Sequence, residues 1–147
     1  MSKLMGVREL KKRLRRIVNE RGHEYTYIHP TYENEYGEEV EAAECYYTDQ
    51  EGNPSCIVGA LLSEVAPGRL KTLHHHEWVA PDVGYSVPNC FAVYELERGY
   101  HGHGGHPIVD LGEVFTDEAR RALATVQREQ DQGKSWGDAV DEVYKRH

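Results

Sequence analysis

Gly52-Asn53-Pro54-Ser55-Cys56-Ile57-Val58-Gly59-Ala60-Leu61-Leu62-Ser63-Glu64-Val65 is the stretch on which the fold turns. Gly52, Asn53 and Pro54 are turn formers, and Ser55 after them is placed to cap a helix through its hydroxyl. Residues 56–65 then carry Ile57, Val58, Ala60, Leu61, Leu62 and Val65, apolar nearly all the way round. A helix with no polar face has to be enclosed, so this segment is expected to be a central buried helix. Pro67-Gly68 breaks it, and residues 69–77, with Leu70 and Leu73 before His74-His75-His76, read as a weaker helix or turn.

Toward the N-terminus, Leu4, Val7, Leu10, Leu14, Ile17 and Val18 recur at three and four residues and predict an amphipathic helix ending near Gly22. Arg8, Lys11, Lys12, Arg13, Arg15 and Arg16 fill the rest of its circumference. Tyr25, Tyr27 and Ile28 then alternate as a short strand that Pro30 stops. Residues 31–41, with Gly37 and five Glu, read as an acidic loop, and Cys45, Tyr46 and Tyr47 as a second strand running into the turn at 49–54. The two strands with their acidic loop make a hairpin.

Toward the C-terminus the signals are stronger. Thr116 caps a helix whose first turn holds Asp117 and Glu118, favourable at the positive end of the helix dipole, with Ala119, Leu123, Val126 and Gln130 as its stripe. Gly133 ends it. Ser135 begins another helix, with Asp138 three residues on and Trp136, Ala139, Val140 and Val143 facing inward. These form an αα-hairpin. Between the halves, residues 78–105 carry the apolar patch Phe91-Ala92-Val93-Tyr94, read as one strand near 90–96, and a Gly-rich loop at 99–106. The expected fold is α+β, a single domain over 1–147. A small antiparallel sheet packs against the N-terminal helix, the central helix and the C-terminal hairpin.

A chain of 147 residues with ten Tyr and two Trp has the size and the large side chains to enclose one core. No apolar run approaches the roughly 20 residues of a membrane span, and no apolar stretch follows the basic N-terminus as in a secretion signal. Cys45, Cys56 and Cys90 make no C-x-x-C pair, and their odd number fits a reducing compartment. A cytoplasmic location, with no membrane partner, is therefore expected. Charge is segregated: residues 1–21 hold eight Lys/Arg against two Glu, whereas residues 22–66 hold ten Asp/Glu and no Lys or Arg. This split reads either as internal complementarity or as two surfaces for partners. A basic helix can enter nucleic acid, but the apolar stripe of this one commits it to the core, so a solvated basic face is the simpler reading.

Gly52-Asn53-Pro54-Ser55-Cys56-Ile57-Val58-Gly59, together with Gln127-x-x-Gln130-Asp131-x-Gly133-x-x-Trp136-Gly137-x-Ala139-Val140, resembles short uncharacterised proteins of actinobacteria and their bacteriophages. The match covers about a quarter of the chain. It implies a setting rather than a chemistry: an accessory protein that binds a host macromolecule, a host protein above all, in the host cytoplasm.

For chemistry, Cys56 at the first turn of a buried helix stands in the positive field that lowers a thiol pKa, as a nucleophile requires. His101, His103 or His106 could serve as its base, which defines the alternative of a cysteine hydrolase. Against it stands plain packing, since Ile57 and Val58 follow at once and Cys is among the most buried residue types. His101, His103 and His106 are near the number of ligands a catalytic zinc takes, although a Gly-rich loop offers little scaffolding. His74, His75 and His76 cannot share one ion from a regular helix, because neighbours point about 100° apart. Glu33, Glu35, Glu38, Glu39, Glu41 and Glu44 read as a solvated loop, or as a patch that mimics nucleic acid for a basic host protein. Trp136 and Gln130-Asp131 read as anchors of the hairpin. No phosphate-binding Gly-rich motif, Ser-centred elbow or zinc-finger spacing is present, and no cofactor is expected.

Overall fold

The computed structural model of the protein describes residues 3–41, 46–75, 78, 100–103 and 106–147, with backbone alone for 100–103 and 106–110. Among the described residues it is an α+β fold of five α-helices and two two-stranded antiparallel hairpins. The expected antiparallel pairing is present, in the described residues as two ribbons. Contacts divide the chain into two compact units, Met1–Tyr27 with Phe91–His147, and Ile28–Cys90.

In the first unit, α1 (Val7–Arg21) buries Leu10, Leu14, Ile17 and Val18, the stripe its periodicity predicts, and ends at Gly22 with φ of 100°. Leu4 lies before the helix and is exposed. Met5 instead bridges Phe115, its N–H donating to the Val114 carbonyl (2.8 Å) and its carbonyl accepting from Thr116 N–H (3.0 Å). Residues 99–106, expected to be a loop, contribute strand: β3 (Tyr100–His103) pairs with β4 (His106–Asp110), setting His103 opposite His106 and His101 opposite Val109. A 3-10 turn at Leu111–Glu113 follows. Thr116 caps α4 (Asp117–Asp131) through its hydroxyl, which accepts from Ala119 N–H at 3.2 Å, and Ser135 caps α5 (Trp136–Arg146) in the same way from Asp138 N–H at 3.1 Å. Gly133 supplies the turn with φ of 90°. α5 packs on both α4 and α1.

α4 is buried far beyond its expected stripe. Two of its enclosed charged groups are paired: the Arg120 guanidinium donates to the Phe115 carbonyl (3.1 Å) and pairs with Asp117, and buried Glu129 is held by Lys134. Such partners are what an interior charge requires.

No strand forms at 25–28, where one was expected before Pro30; the second unit begins at Ile28. The acidic stretch itself makes the hairpin, β1 (Thr31–Glu33) against β2 (Glu39–Glu41), in the register Thr31 with Glu41, Tyr32 with Val40 and Glu33 with Glu39. The expected strand at 45–47 reduces to an isolated bridge between Thr48 and Pro54, Cys45 lying outside the described residues. The physical reason is turn chemistry. Asn34 Oδ1 accepts from the N–H groups of Tyr36 and Glu38 (2.9 Å each), and Gly37 takes φ of 76°. Asp49 Oδ1 does the same for Glu51 and Asn53 (2.9 Å each), with Gly52 at φ of 89°. Both are Asx turns closed by a glycine three residues on, in the left-handed region that favours glycine.

The central helix is present as α2 (Ile57–Val65), buried from Ile57 through Leu62. Pro67 does more than end it, since with its preset φ it stands in the first turn of α3 (Pro67–His74), which buries Leu70 and Leu73. The strand expected near 90–96 lies outside the described residues.

Candidate functional site

The hairpin β1–β2 stands out because it buries so little. A three-residue strand alternates faces, so its register puts Glu33, Glu39 and Glu41 with Thr31 on one face and Tyr32 with Val40 on the other. Glu33 lies directly opposite Glu39, an arrangement of like charges that weakens a ribbon. One local hydrogen bond, Thr31 Oγ1 to Glu39 Oε1 at 2.8 Å, offsets this. At the tip, Glu35 and Glu38 flank Tyr36, which is 77% exposed, and Ile28 ahead of the strand is 65% exposed. Thr31, Tyr32, Glu33, Gly37, Glu39 and Gln50 line a shallow hollow of about 320 Å³. Two carboxylates on a small hollow beside exposed aromatic rings can receive a guanidinium or an ammonium, with the rings flanking the aliphatic stem.

Cys56 occupies a different kind of place. It is the N-cap of α2 in place of Ser55, its Sγ accepting from Gly59 N–H at 3.3 Å, and it is fully buried. Ser55 instead ties the approach to the helix: its N–H donates to the Tyr47 carbonyl (2.9 Å) and its hydroxyl to the Tyr46 carbonyl (2.5 Å). Gly59 is required because any Cβ there would overlap the Tyr47 carbonyl oxygen. The Pro-Ser-Cys-Ile-Val-Gly stretch is therefore a clasp holding residues 46–47 over the first turn of α2. For Cys56 to act on a substrate, that turn would have to open.

His101, His103 and His106 lie on β3 and β4, with His103 and His106 facing one another in the backbone register and His101 two residues back. Their side chains lie outside the described residues. His74 closes α3, its Nδ1 3.2 Å from Thr48 Oγ1. Trp136 is buried edge-on against Tyr25 (centroids 4.5 Å apart, planes at 66°), and its backbone N–H donates to the Tyr25 carbonyl at 2.7 Å. Gln130 donates to Asp131 at 3.2 Å and is buried. The Gln-Asp-x-Gly-x-x-Trp-Gly stretch is, like the first, a folding device.

Sequence reasoning passed over the contact of α1 with α5. Arg15 donates to Asp141 Oδ1 (2.8 Å), and Lys11 and Arg15 stand over the Tyr144 ring (4.9 and 4.8 Å). His23, just past α1, places Nε2 at 3.1 Å from Asp141 Oδ2 and 3.8 Å from Asp138 Oδ1, with Nδ1 at 3.3 Å from Glu24. The Arg15 hydrogen bond, then that of His23, holds the Asp141 carboxyl below its ordinary range. The hydrogen bond to Asp141, then that to Glu24, raises the His23 imidazole. The signal available in the sequence was the spacing Asp138-x-x-Asp141, which shares one helix face.

No family model, curated protein or solved structure matches the chain. Among the described residues, no helix is long and apolar enough to cross a membrane.

Proposed function

We propose that this protein acts by binding, and that the hairpin β1–β2 is where it engages a basic segment of a partner protein. The observation that carries this is the hairpin's composition in place: five Glu and the exposed Tyr36, on a ribbon whose own cross-strand pairing sets Glu33 against Glu39. A cation laid between these carboxylates relieves their repulsion, so binding is favoured by the same feature that weakens the free ribbon. The resemblance to small actinobacterial and phage proteins supports an accessory role, with the partner belonging to a host cell. The alternative, a cysteine hydrolase, would use Cys56, whose thiol is buried and accepts from Gly59 N–H at the α2 cap.

The test measures anisotropy of a labelled Arg/Lys-rich peptide against the whole protein at several salt concentrations, beside a pull-down from actinobacterial lysate. Binding that weakens steadily with salt is expected, together with its loss in a Glu33→Gln, Glu39→Gln, Tyr36→Ala variant. Equal capture by that variant, or no salt-sensitive partner at all, would refute the proposal.

A further inference from the structure

We propose that His23, Asp138 and Asp141 form a binding site for one divalent transition-metal ion of the zinc class, which accepts mixed imidazole and carboxylate donors. Three features carry this, beginning with donor spacing. Metal–ligand bonds of about 2.0–2.1 Å in a tetrahedral shell set donors roughly 3.3–3.4 Å apart. Nε2 of His23 lies 3.1 Å from Asp141 Oδ2 and 3.8 Å from Asp138 Oδ1, and the three donor atoms all lie within 4.8 Å of one another. Asp138, whose side chain is exposed, closes toward His23 by a few tenths of an ångström to complete the shell.

The second feature is the fixed ring. The His23 carbonyl accepts from Gly137 N–H at 3.0 Å, and a Cβ at Gly137 would overlap the imidazole, so the glycine provides the space in which the ring lies along the first turn of α5. An imidazole held this way loses little freedom on binding an ion. The third is the surrounding shell. Nδ1 faces Glu24 at 3.3 Å, the carboxylate-to-imidazole contact that leaves Nε2 as the ligand atom, and Arg15 on Asp141 Oδ1 orients Oδ2 toward His23. Three protein donors at an exposed position leave the remaining coordination to water or to a partner's side chain. The ion would join the turn after α1 to α5, the same junction that Trp136 and Tyr25 close.

The test is calorimetric titration of the untagged protein with zinc chloride alone, compared with two variants. Asp138→Asn removes one ligand while leaving the Arg15–Asp141 pair intact, and a triple His101→Ala, His103→Ala, His106→Ala variant removes the other histidine cluster. The expected result is one ion per chain in the parent and the triple variant, and binding at least roughly tenfold weaker in Asp138→Asn. His23→Gln, with an unchanged circular-dichroism spectrum, is expected to lose the site as well. Undiminished affinity in Asp138→Asn, loss of the ion in the triple variant, or no stoichiometric binding by the parent would overturn the proposal.

Discussion

Replacing Gly59 with alanine sets two well-understood effects against each other. Alanine is favoured over glycine in a helix interior by about 1 kcal/mol, so propensity alone predicts stabilisation. At this position, however, the new Cβ would overlap the Tyr47 carbonyl oxygen, which is backbone and cannot rotate away. Either α2 or the segment at 46–47 must retreat. Retreat puts at risk the Ser55 N–H bond to that carbonyl (2.9 Å) and the adjoining Ser55 hydroxyl bond to Tyr46, each worth about 1 kcal/mol. Overpacking in a closed core adds about 1–3 kcal/mol. The balance is a net loss of about 1–3 kcal/mol for Gly59→Ala. Gly68, in α3, has nothing within 4 Å of its Cβ position and no positive φ, so Gly68→Ala should instead stabilise by about 0.4–1 kcal/mol. Urea denaturation followed by circular dichroism reads both. A Gly59→Ala protein at least as stable as the parent would show that the clasp over α2 does not exist as described.

Native Cys56 should resist alkylation until the protein unfolds, because its thiol is buried. Cys56→Ala should lose about 1 kcal/mol with the cap, whereas Cys56→Ser should lose less, its hydroxyl accepting from Gly59 N–H. Reactivity with a thiol reagent and urea midpoints of the two variants decide this. His147, whose Nε2 lies 2.9 Å from Thr125 Oγ1, has its pKa lowered, first by burial and then by Arg146, Lys11 and Arg121, against the opposing field of Glu118. The folded state therefore holds fewer protons there than the unfolded chain, so this contribution is complete above the ordinary histidine value and is lost as pH falls through it. Melting between about pH 7.5 and about 5.5 should show a decline that is smaller in His147→Asn. Thr116→Ala should cost about 1 kcal/mol by removing the α4 cap, and a melting temperature unchanged by it would contradict the capping geometry.

How legible each element was depended on whether its cause is local. α1, α4 and α5 were readable because their signals are local: a helical stripe in each, a terminal glycine after α1 and α4, and a capping hydroxyl ahead of α4 and α5. α2 was readable from its unbroken apolarity, yet its cap moved from Ser55 to Cys56 because Ser55 is drawn to the Tyr46 carbonyl, nine residues back. The hairpin at 31–41 was read as a loop because its glutamates lower strand propensity, while the decisive residue, Asn34 with Gly37 three positions on, fixes a turn regardless of what flanks it. The grouping of His23 with Asp138 and Asp141 spans more than a hundred residues and rests on Gly137 having no side chain. No periodicity or spacing near His23 could announce it.

The two Asx turns bear on function because they use the same hydrogen-bond pattern for different ends. At Asp49 the turn delivers the chain to Pro54 and the clasp over α2, and its neighbours Tyr47 and Thr48 are buried. At Asn34 the same device closes a ribbon in which only Asn34 and Val40 are partly covered. An isolated two-stranded ribbon is marginal in water, and opposing Glu33 to Glu39 lowers its stability further. Its local turn can set the strands in register but cannot make the exposed face favourable. Under the proposed function, an incoming cationic segment would supply the stabilisation the ribbon lacks. A partner of that charge would order the ribbon as it binds, so the hairpin's amides should gain protection from hydrogen exchange when the Arg/Lys-rich peptide is added, while those of α2 stay unchanged.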